Sequence, residues 1–182
     1  MKQARVTPSD VVIGVSASGV EYFDQPGIAL MFPGGGAHYP GAGRELLAQP
    51  AFRRAVDECF RLMPADAPHD LRTRMFEGDA GDPAAAATLE RPSYALPALF
   101  TIEYALAKLW ESWGVKPAAV IGHSAGEYAA ACIAGVMSLQ DALSVVVLRG
   151  RLFEEVPLGA MLSVDLPEAQ LRETMAGLDL DI

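Results

Sequence analysis

The chain of 182 residues has little cysteine and few basic residues, and each shortage argues against a class of protein. Its two cysteines, Cys59 and Cys132, are too few for a disulfide framework or a zinc site. Both fall on apolar faces of predicted helices, where we expect buried, inert thiols and no bound metal. The 14 lysines and arginines stand against 23 acidic residues, and the formal net charge of −9 argues against nucleic acid or an anionic membrane as the main partner.

The sequence also lacks a long apolar run. Charged residues, glycine and proline interrupt the apolar stretches well short of the length of a membrane span. No apolar segment follows Met1–Arg5, as it would in a secretory signal. Apolar residues nevertheless make up 51% of the chain, which is enough for one domain with a core. We therefore predict a soluble, cytoplasmic α/β domain.

What the chain does contain is an alternation of strand-like and helix-like patterns. Apolar runs predict strands at 28–32, 118–121 and 160–164. The first two are expected to be buried on both faces of a sheet. Apolar residues at helical spacing predict helices at 50–63, 99–113, 138–152 and 167–175. The alternation predicts a mainly parallel sheet with flanking helices.

Two segments are less regular. Residues 64–92 are rich in Pro, Asp, Gly and Ala and predict a surface excursion with short helices. Residues 11–15 predict a short strand, and residues 16–27 are typical of a connector. Polar residues predict caps at two helix starts, Ser138 with Asp141 and Asp165 with Glu168.

A G-x-S-x-G sequence, Gly122-His123-Ser124-Ala125-Gly126, lies between a predicted strand and a predicted helix. A nucleophile elbow needs small residues on both sides of the serine, because the chain reverses tightly around a strained backbone. Such a turn would hold the Ser124 hydroxyl above the sheet and make the Ala125 amide an oxyanion donor. An ordinary Gly/Ser turn has the same pattern, but the flanking strand and helix favour the elbow.

A second loop, Phe32–His38, follows the first predicted strand and contains three consecutive glycines at 34–36. Glycines let backbone amides approach a ligand closely. Neither G-x-G-x-x-G nor G-K-[ST] is present, which disfavours a phosphate-binding loop. Taken alone, the segment is equally typical of a tight turn from strand to helix.

Together these loops resemble the malonyl-CoA:acyl-carrier-protein acyltransferases, and most of all the acyltransferase domains of modular type I polyketide synthases. The opening loop with Tyr39–Gly43 resembles the family's F-x-G-Q-G-x-Q…P-G-M-G, and Arg91–Phe100 resembles its Q-P-A-L-F helix start. Further segments resemble the elbow and the helices after it, at 113–127, 134–139 and 148–151. The resemblance implies an α/β-hydrolase-like large subdomain at 28–158. A linker at 1–27 would precede it, and a ferredoxin-like small subdomain would begin at 159–182.

The resemblance also implies roles for individual residues. Ser124 falls on the nucleophile that takes the acyl group from coenzyme A as an ester. Arg149 falls on the arginine that pairs with the free carboxylate of a malonyl-type extender, a task that suits a planar guanidinium. His38 falls where a backbone amide completes the oxyanion hole with Ala125.

By the same resemblance, the protein has no resident cofactor. Its substrate would be malonyl-CoA, a coenzyme A thioester. The acceptor would be the phosphopantetheine thiol of an acyl carrier protein, and adjoining ketosynthase or other synthase domains would be partners in polyketide or fatty-acid biosynthesis.

The general base is the main departure from the family pattern. A serine hydroxyl needs a base to become a good nucleophile. The chain has three histidines, His38, His69 and His123, and all precede Ser124, whereas the family's catalytic histidine follows the serine. Gly35 and Leu96 also replace two glutamines of the family pattern. We therefore expect an N-terminal part of an acyltransferase domain that is inactive alone.

Two other functions are compatible with parts of the sequence. A truncated acyltransferase module acting as a non-catalytic scaffold would need no base. An esterase or thioesterase of the α/β-hydrolase type shares G-x-S-x-G, but it requires a histidine after the serine and gives no reason for Arg149.

Overall fold

The computed structural model describes residues 12–16, 19–22, 27–79, 81–157, 159, 162 and 164–178. Its strands are β1 (Val12–Ser16), β2 (Gly19–Tyr22), β3 (Ile28–Phe32) and β4 (Pro117–Gly122). Its α-helices are α1 (Pro50–Leu62), α2 (Leu71–Phe76), α3 (Pro83–Glu90), α4 (Pro92–Ser112), α5 (Gly126–Ile133), α6 (Leu139–Glu155) and α7 (Glu168–Thr174). A short 3₁₀ helix covers Glu45–Ala48.

Strands β3 and β4 pair in parallel, which confirms the predicted parallel arrangement for these two strands. Ala29 lies opposite Ala119, and Phe32 lies opposite Gly122. The carboxyl ends of both strands therefore meet at one edge of the sheet. There the His123 amide, just beyond β4, donates to the carbonyl oxygen of Phe32 at 2.9 Å.

The expectation that these two strands are buried on both faces is wrong for the described residues. Helix α5 packs against one face, where Phe32 is buried. Met31 and Ile121 are register partners on the opposite face and are 77% and 57% exposed. No described element covers these two side chains. An apolar strand is buried only where other elements pack against it, so its apolar sequence alone does not predict its burial.

The core lies among α1, α4 and α6, which pack against one another. The largest fully buried side chains of this contact include Phe52, Val56, Phe100, Leu143 and Val146. The predicted helices at these positions are confirmed. Ser138 caps α6 as predicted, since its Oγ accepts the Asp141 amide at 3.1 Å.

The region predicted as a surface excursion contains short helices, as expected, but it also contributes to the core. Leu71 at the start of α2 and Leu89 at the end of α3 are both buried. Cys59 is buried as expected, whereas Cys132 is partly exposed. Burial raises the pKa of the Cys59 thiol to about 12 and also raises that of Cys132, which opposes formation of a reactive thiolate.

Other expectations differ from the structure at the two ends. The segment predicted as a connector after Ser16 contains β2, which pairs antiparallel with β1. Helix α7 is present, but it begins after Pro167 without a side-chain cap, so the cap predicted at Asp165 is wrong. The predicted strand at 160–164 falls largely outside the described residues. None of the described helices is both long and apolar enough to cross a bilayer.

Candidate active site

Ser124 occupies the turn between β4 and α5 and has a strained backbone. Its φ angle is 51°, the single positive value among the described residues other than glycine. A left-handed conformation costs an L-residue roughly 1–2 kcal/mol, so the surrounding structure must enforce it. The side chain is exposed at the carboxyl edge of the sheet. This is the backbone geometry that a nucleophile elbow requires.

The two glycines of the motif are needed because backbone approaches them closely. A Cβ on Gly122 would lie 2.3 Å from the Cα of Glu127, and one on Gly126 would lie 2.3 Å from the carbonyl oxygen of Phe32. Hydrogen bonds close the turn, from the Gly126 amide to the His123 carbonyl at 3.0 Å and from the Glu127 amide to the Ser124 carbonyl at 3.1 Å. The turn is therefore packed directly onto the end of β3.

The glycine loop after β3 lies against this turn. A Cβ on Gly34 would lie 2.9 Å from His123 Nδ1 and 3.2 Å from Ser124 Cβ. Gly36 has a φ of 95°, a conformation that favours glycine. The structure thus brings the two motifs of the sequence together at one edge of the sheet.

The two backbone amides that the sequence analysis expects in an oxyanion hole belong to Ala125 and His38. The Ala125 amide, at the N-cap of α5, and the His38 amide donate to no backbone carbonyl within the described part of the chain. The first four amides of a helix have no partner within it, and they favour negative charge. The His38 ring is held elsewhere, because its Nε2 donates to the Leu89 carbonyl at 2.9 Å.

The histidines do not supply a base for Ser124 in the described structure. His69 is exposed on the segment between α1 and α2, and the ring of His123 lies beside Gly34. No hydrogen bond joins Ser124 Oγ to a histidine ring among the residues described. A cluster of three or more metal-ligating side chains is likewise absent from the described residues.

Arg149 on α6 is half-buried and tied to the helix that follows Ser124. Its Nη1 donates to the Tyr128 hydroxyl at 2.7 Å. The guanidinium lies over the rings of Tyr128 and Phe153, at 5.6 and 5.0 Å from their centroids. No described carboxylate lies within ion-pair distance, whereas the neighbouring Arg151 is paired with Asp66. The positive charge of Arg149 is thus held by aromatic and hydroxyl groups and has no counter-ion in this part of the structure.

Sequence reasoning missed two residues that the structure singles out. Tyr128, which holds Arg149, follows Ser124 by one helical turn, but only the fold shows its contact with α6. Glu103 is buried in α4 with no hydrogen-bond partner for either carboxylate oxygen among the described residues. The sequence carried a signal for this residue, because a glutamate within the apolar stripe of a predicted helix indicates a buried carboxyl group.

Comparisons with known proteins agree on one family. The model of the acyl transferase domain matches residues 30–180. The chain is 43% identical over 147 residues to the spectinabilin polyketide synthase system protein NorA of Streptomyces orinoci, covering 79% of this chain and 7% of that protein. It is 43% identical over 150 residues to the polyketide synthase GfsA of Streptomyces halstedii, covering 80% of this chain and 2% of that protein.

Solved structures give the same picture. The acyltransferase domain from the second module of the salinomycin polyketide synthase is 42% identical, with a TM-score of 0.72, and the match covers 90% of this chain and 38% of that one. The complex of a type II polyketide synthase acyl-carrier protein with its malonyl-transacylase matches at 30% identity and a TM-score of 0.60, over 71% of this chain and 40% of that one. The chain therefore spans less than half of either solved chain and only a small part of the two synthases.

Proposed function

Because the chain belongs to the acyl transferase domain family of modular polyketide synthases, we propose that it forms the nucleophile-bearing part of a domain that moves malonyl-type acyl groups. The donor is a coenzyme A thioester, and the acceptor is the phosphopantetheine thiol of an acyl carrier protein. The observation that carries this proposal is the strained backbone of Ser124 between β4 and α5.

The reaction proceeds in two acyl transfers. Ser124 Oγ attacks the thioester carbonyl, the carbon–sulfur bond breaks, and coenzyme A leaves as its thiol with the proton taken from the serine. The carrier-protein thiol then attacks the resulting ester and restores the serine hydroxyl. The amides of Ala125 and His38 stabilise the oxyanion in both steps.

Arg149 selects acyl groups that carry a free carboxylate. Its guanidinium is permanently charged and can hold a carboxylate in two parallel hydrogen bonds. The contacts with Tyr128 and Phe153 orient it, and the absence of a described counter-ion leaves its charge available to a substrate. An acetyl group has no carboxylate for this contact.

The base that takes the proton of Ser124 belongs, in this proposal, to the part of the domain that the chain does not match. The salinomycin domain is more than twice as long as the matched portion, which leaves room for it. We assign residues 28–158 to the large subdomain and residue 159 onward to the start of the small one. Residues 1–27 would then link this domain to a preceding synthase domain such as a ketosynthase.

Acylation of the chain by malonyl-CoA, followed by intact mass, tests the proposal. Imidazole is added to act as a base, because no described histidine reaches Ser124 Oγ, and Ser124→Ala and Arg149→Ala are the matched variants. We expect an adduct that depends on imidazole, maps to Ser124 and is absent from Ser124→Ala. Arg149→Ala should lose the malonyl adduct but still accept acetyl from acetyl-CoA. No adduct on folded protein, even with imidazole, would favour the non-catalytic scaffold.

A further inference from the structure

The imidazole ring of His38 joins the glycine loop after β3 to the end of α3. Its Nε2 donates to the Leu89 carbonyl oxygen at 2.9 Å, although the two residues are 51 positions apart in the sequence. Leu89 lies in the last turn of α3, where carbonyl groups have no partner within the helix. Nδ1 of the same ring is enclosed and has no hydrogen-bond partner among the described residues. The hydrogen bond to α3 is therefore the described polar contact of this side chain.

The loop that this bond holds is restrained weakly along its middle. Gly35 and Gly36 are exposed, and a Cβ built on either one would meet nothing within 4 Å. Glycine loses more backbone freedom on ordering than any other residue, so a fixed conformation of this stretch is costly in entropy. At its start the loop is packed, because Gly34 lies against the turn at Ser124. Its other end is held by the His38 ring.

Further contacts hold the chain beyond the loop. The Gly41 amide donates to the Met75 carbonyl oxygen at 2.7 Å. The Arg44 guanidinium donates to two carbonyl groups at and just after the end of α2. These contacts fix residues 41–44 against α2, but they begin three residues after His38. They therefore do not set the direction of the His38 amide by themselves, whereas a bond from the His38 side chain does.

We propose that the His38 side chain is a positioning residue, whose bond to α3 holds the glycine loop so that the His38 amide faces the acyl oxygen at Ser124. The inference rests on the proposed function, in which this amide and that of Ala125 stabilise the oxyanion. A preorganised donor stabilises the developing charge without having to reorganise during the reaction. A loop without this bond would have to be ordered during each reaction, so the barrier would rise while malonyl-CoA bound as before. Helix α3, in the segment predicted as a surface excursion, thus supports the oxyanion hole.

Replacements of His38 that differ in reach test this role. Glutamine places its side-chain amide nitrogen as far from the backbone as Nε2 of histidine, and it can donate to the Leu89 carbonyl. Asparagine places the same group at the position of Nδ1, which is too near the backbone for this bond. Alanine removes the donor altogether. His38→Gln should therefore keep the effect of the ring, and His38→Asn and His38→Ala should lose it.

Acylation by malonyl-CoA, with imidazole and intact mass as above, measures the rate constant at saturating substrate and the half-saturating concentration. We expect His38→Asn and His38→Ala to lower the rate constant by roughly tenfold or more at an unchanged half-saturating concentration, because the amide contributes mainly in the transition state. His38→Gln should stay close to wild type. Arg44→Ala is the matched control, since it removes side-chain bonds to backbone carbonyls farther from the His38 amide. It should lower the Tm and leave the rate constant unchanged.

Backbone order in the loop is a second readout that does not depend on acylation. Amide nitrogen relaxation should give order parameters of about 0.85 across residues 35–38 in wild type and His38→Gln, and below about 0.6 in His38→Asn and His38→Ala. If wild type forms no adduct, the proposed function fails, and the order parameters alone decide whether the ring holds the loop. The inference is overturned if the loop is already flexible in wild type, if it stays ordered without the ring, or if His38→Asn is acylated as fast as His38→Gln.

Discussion

Replacement of Glu103 by glutamine should change how the stability of the chain depends on pH. Burial raises the pKa of the Glu103 carboxyl from the ordinary 4.5 to about 8. Between these values the unfolded chain releases the proton and the folded chain keeps it, so stability falls as the pH rises. At about 1.4 kcal/mol per pH unit over the interval between these two values, the loss is on the order of 5 kcal/mol, and it is complete above about pH 8. Below pH 4.5 the Glu103 carboxyl is protonated in both the folded and the unfolded chain, so its titration does not lower the stability.

Urea unfolding of wild type and Glu103→Gln between about pH 4.5 and 8.5 measures this loss. Other carboxyl groups titrate in both proteins, so only the difference in unfolding free energy isolates Glu103. A buried glutamine also has unsatisfied polar atoms, but that penalty does not vary with pH. We expect the unfolding free energy of Glu103→Gln to rise steadily relative to that of wild type as the pH increases.

A difference that stays constant across this pH range would refute the reasoning. It would mean that the carboxylate is ionised at no cost in the folded chain, because water or a side chain outside the described residues reaches it. The size of the effect matters for the chain as a whole. Typical domains are stable by only about 5–15 kcal/mol, so a cost of this order is a large fraction of the total.

Four further predictions concern the elbow, the arginine and a thiol. Ser124→Gly should remove the backbone strain and raise the unfolding free energy by about 1 kcal/mol, measured in urea, while it abolishes acylation. Gly126→Ala should destabilise the fold by several kcal/mol, seen as a lower Tm, because its Cβ would lie 2.3 Å from a backbone oxygen at the end of β3. Tyr128→Phe should remove the hydrogen bond that orients Arg149, while the ring contacts remain, and lower the preference for malonyl-CoA over acetyl-CoA in competition assays. Cys59 should react with thiol reagents only after unfolding, measured by mass labelling.

Matched variants separate these effects from general damage. Ser144→Gly, within α6, should lower the unfolding free energy, whereas Ser124→Gly in the elbow should raise it. Gly35→Ala should be nearly neutral, since nothing lies within 4 Å of its added Cβ. Tyr39→Phe removes an exposed hydroxyl and should leave acyl preference unchanged. The predicted burial of Cys59 would be contradicted by equal labelling in native and unfolded protein. The close approach at Gly126 would be contradicted if a larger residue there raised the Tm.

Local sequence predicted the elements whose shape depends on nearby residues. The helical spacing of Phe52 and Val56 predicts α1, and the serine at 138 with its acidic partner predicts the start of α6. The burial of β3 was predicted wrongly, because an apolar strand is buried only when neighbours cover both faces. The strand β2 was missed, since its four residues carry no alternation that distinguishes them from a connector.

The candidate site divides in the same way. The turn at Ser124 and the glycine loop are encoded within short motifs, and the parallel register of β3 and β4 brings them together. The contact of Arg149 with Tyr128 joins residues on two helices, so spacing alone does not reveal it. Glu103 was visible as a charge in an apolar stripe, but only the tertiary structure shows that its carboxylate has no hydrogen-bond partner among the described residues.

Strand β3 links the candidate active site to a groove that Leu30 and Phe32 line together with Glu103 and Trp110 of α4. At its carboxyl end, the carbonyl oxygen of Phe32 accepts the His123 amide and lies where any side chain at Gly126 would clash. Phe32 also lines the groove on the other edge. The strained conformation of Ser124 therefore rests on a strand whose second edge is unpaired in the described structure.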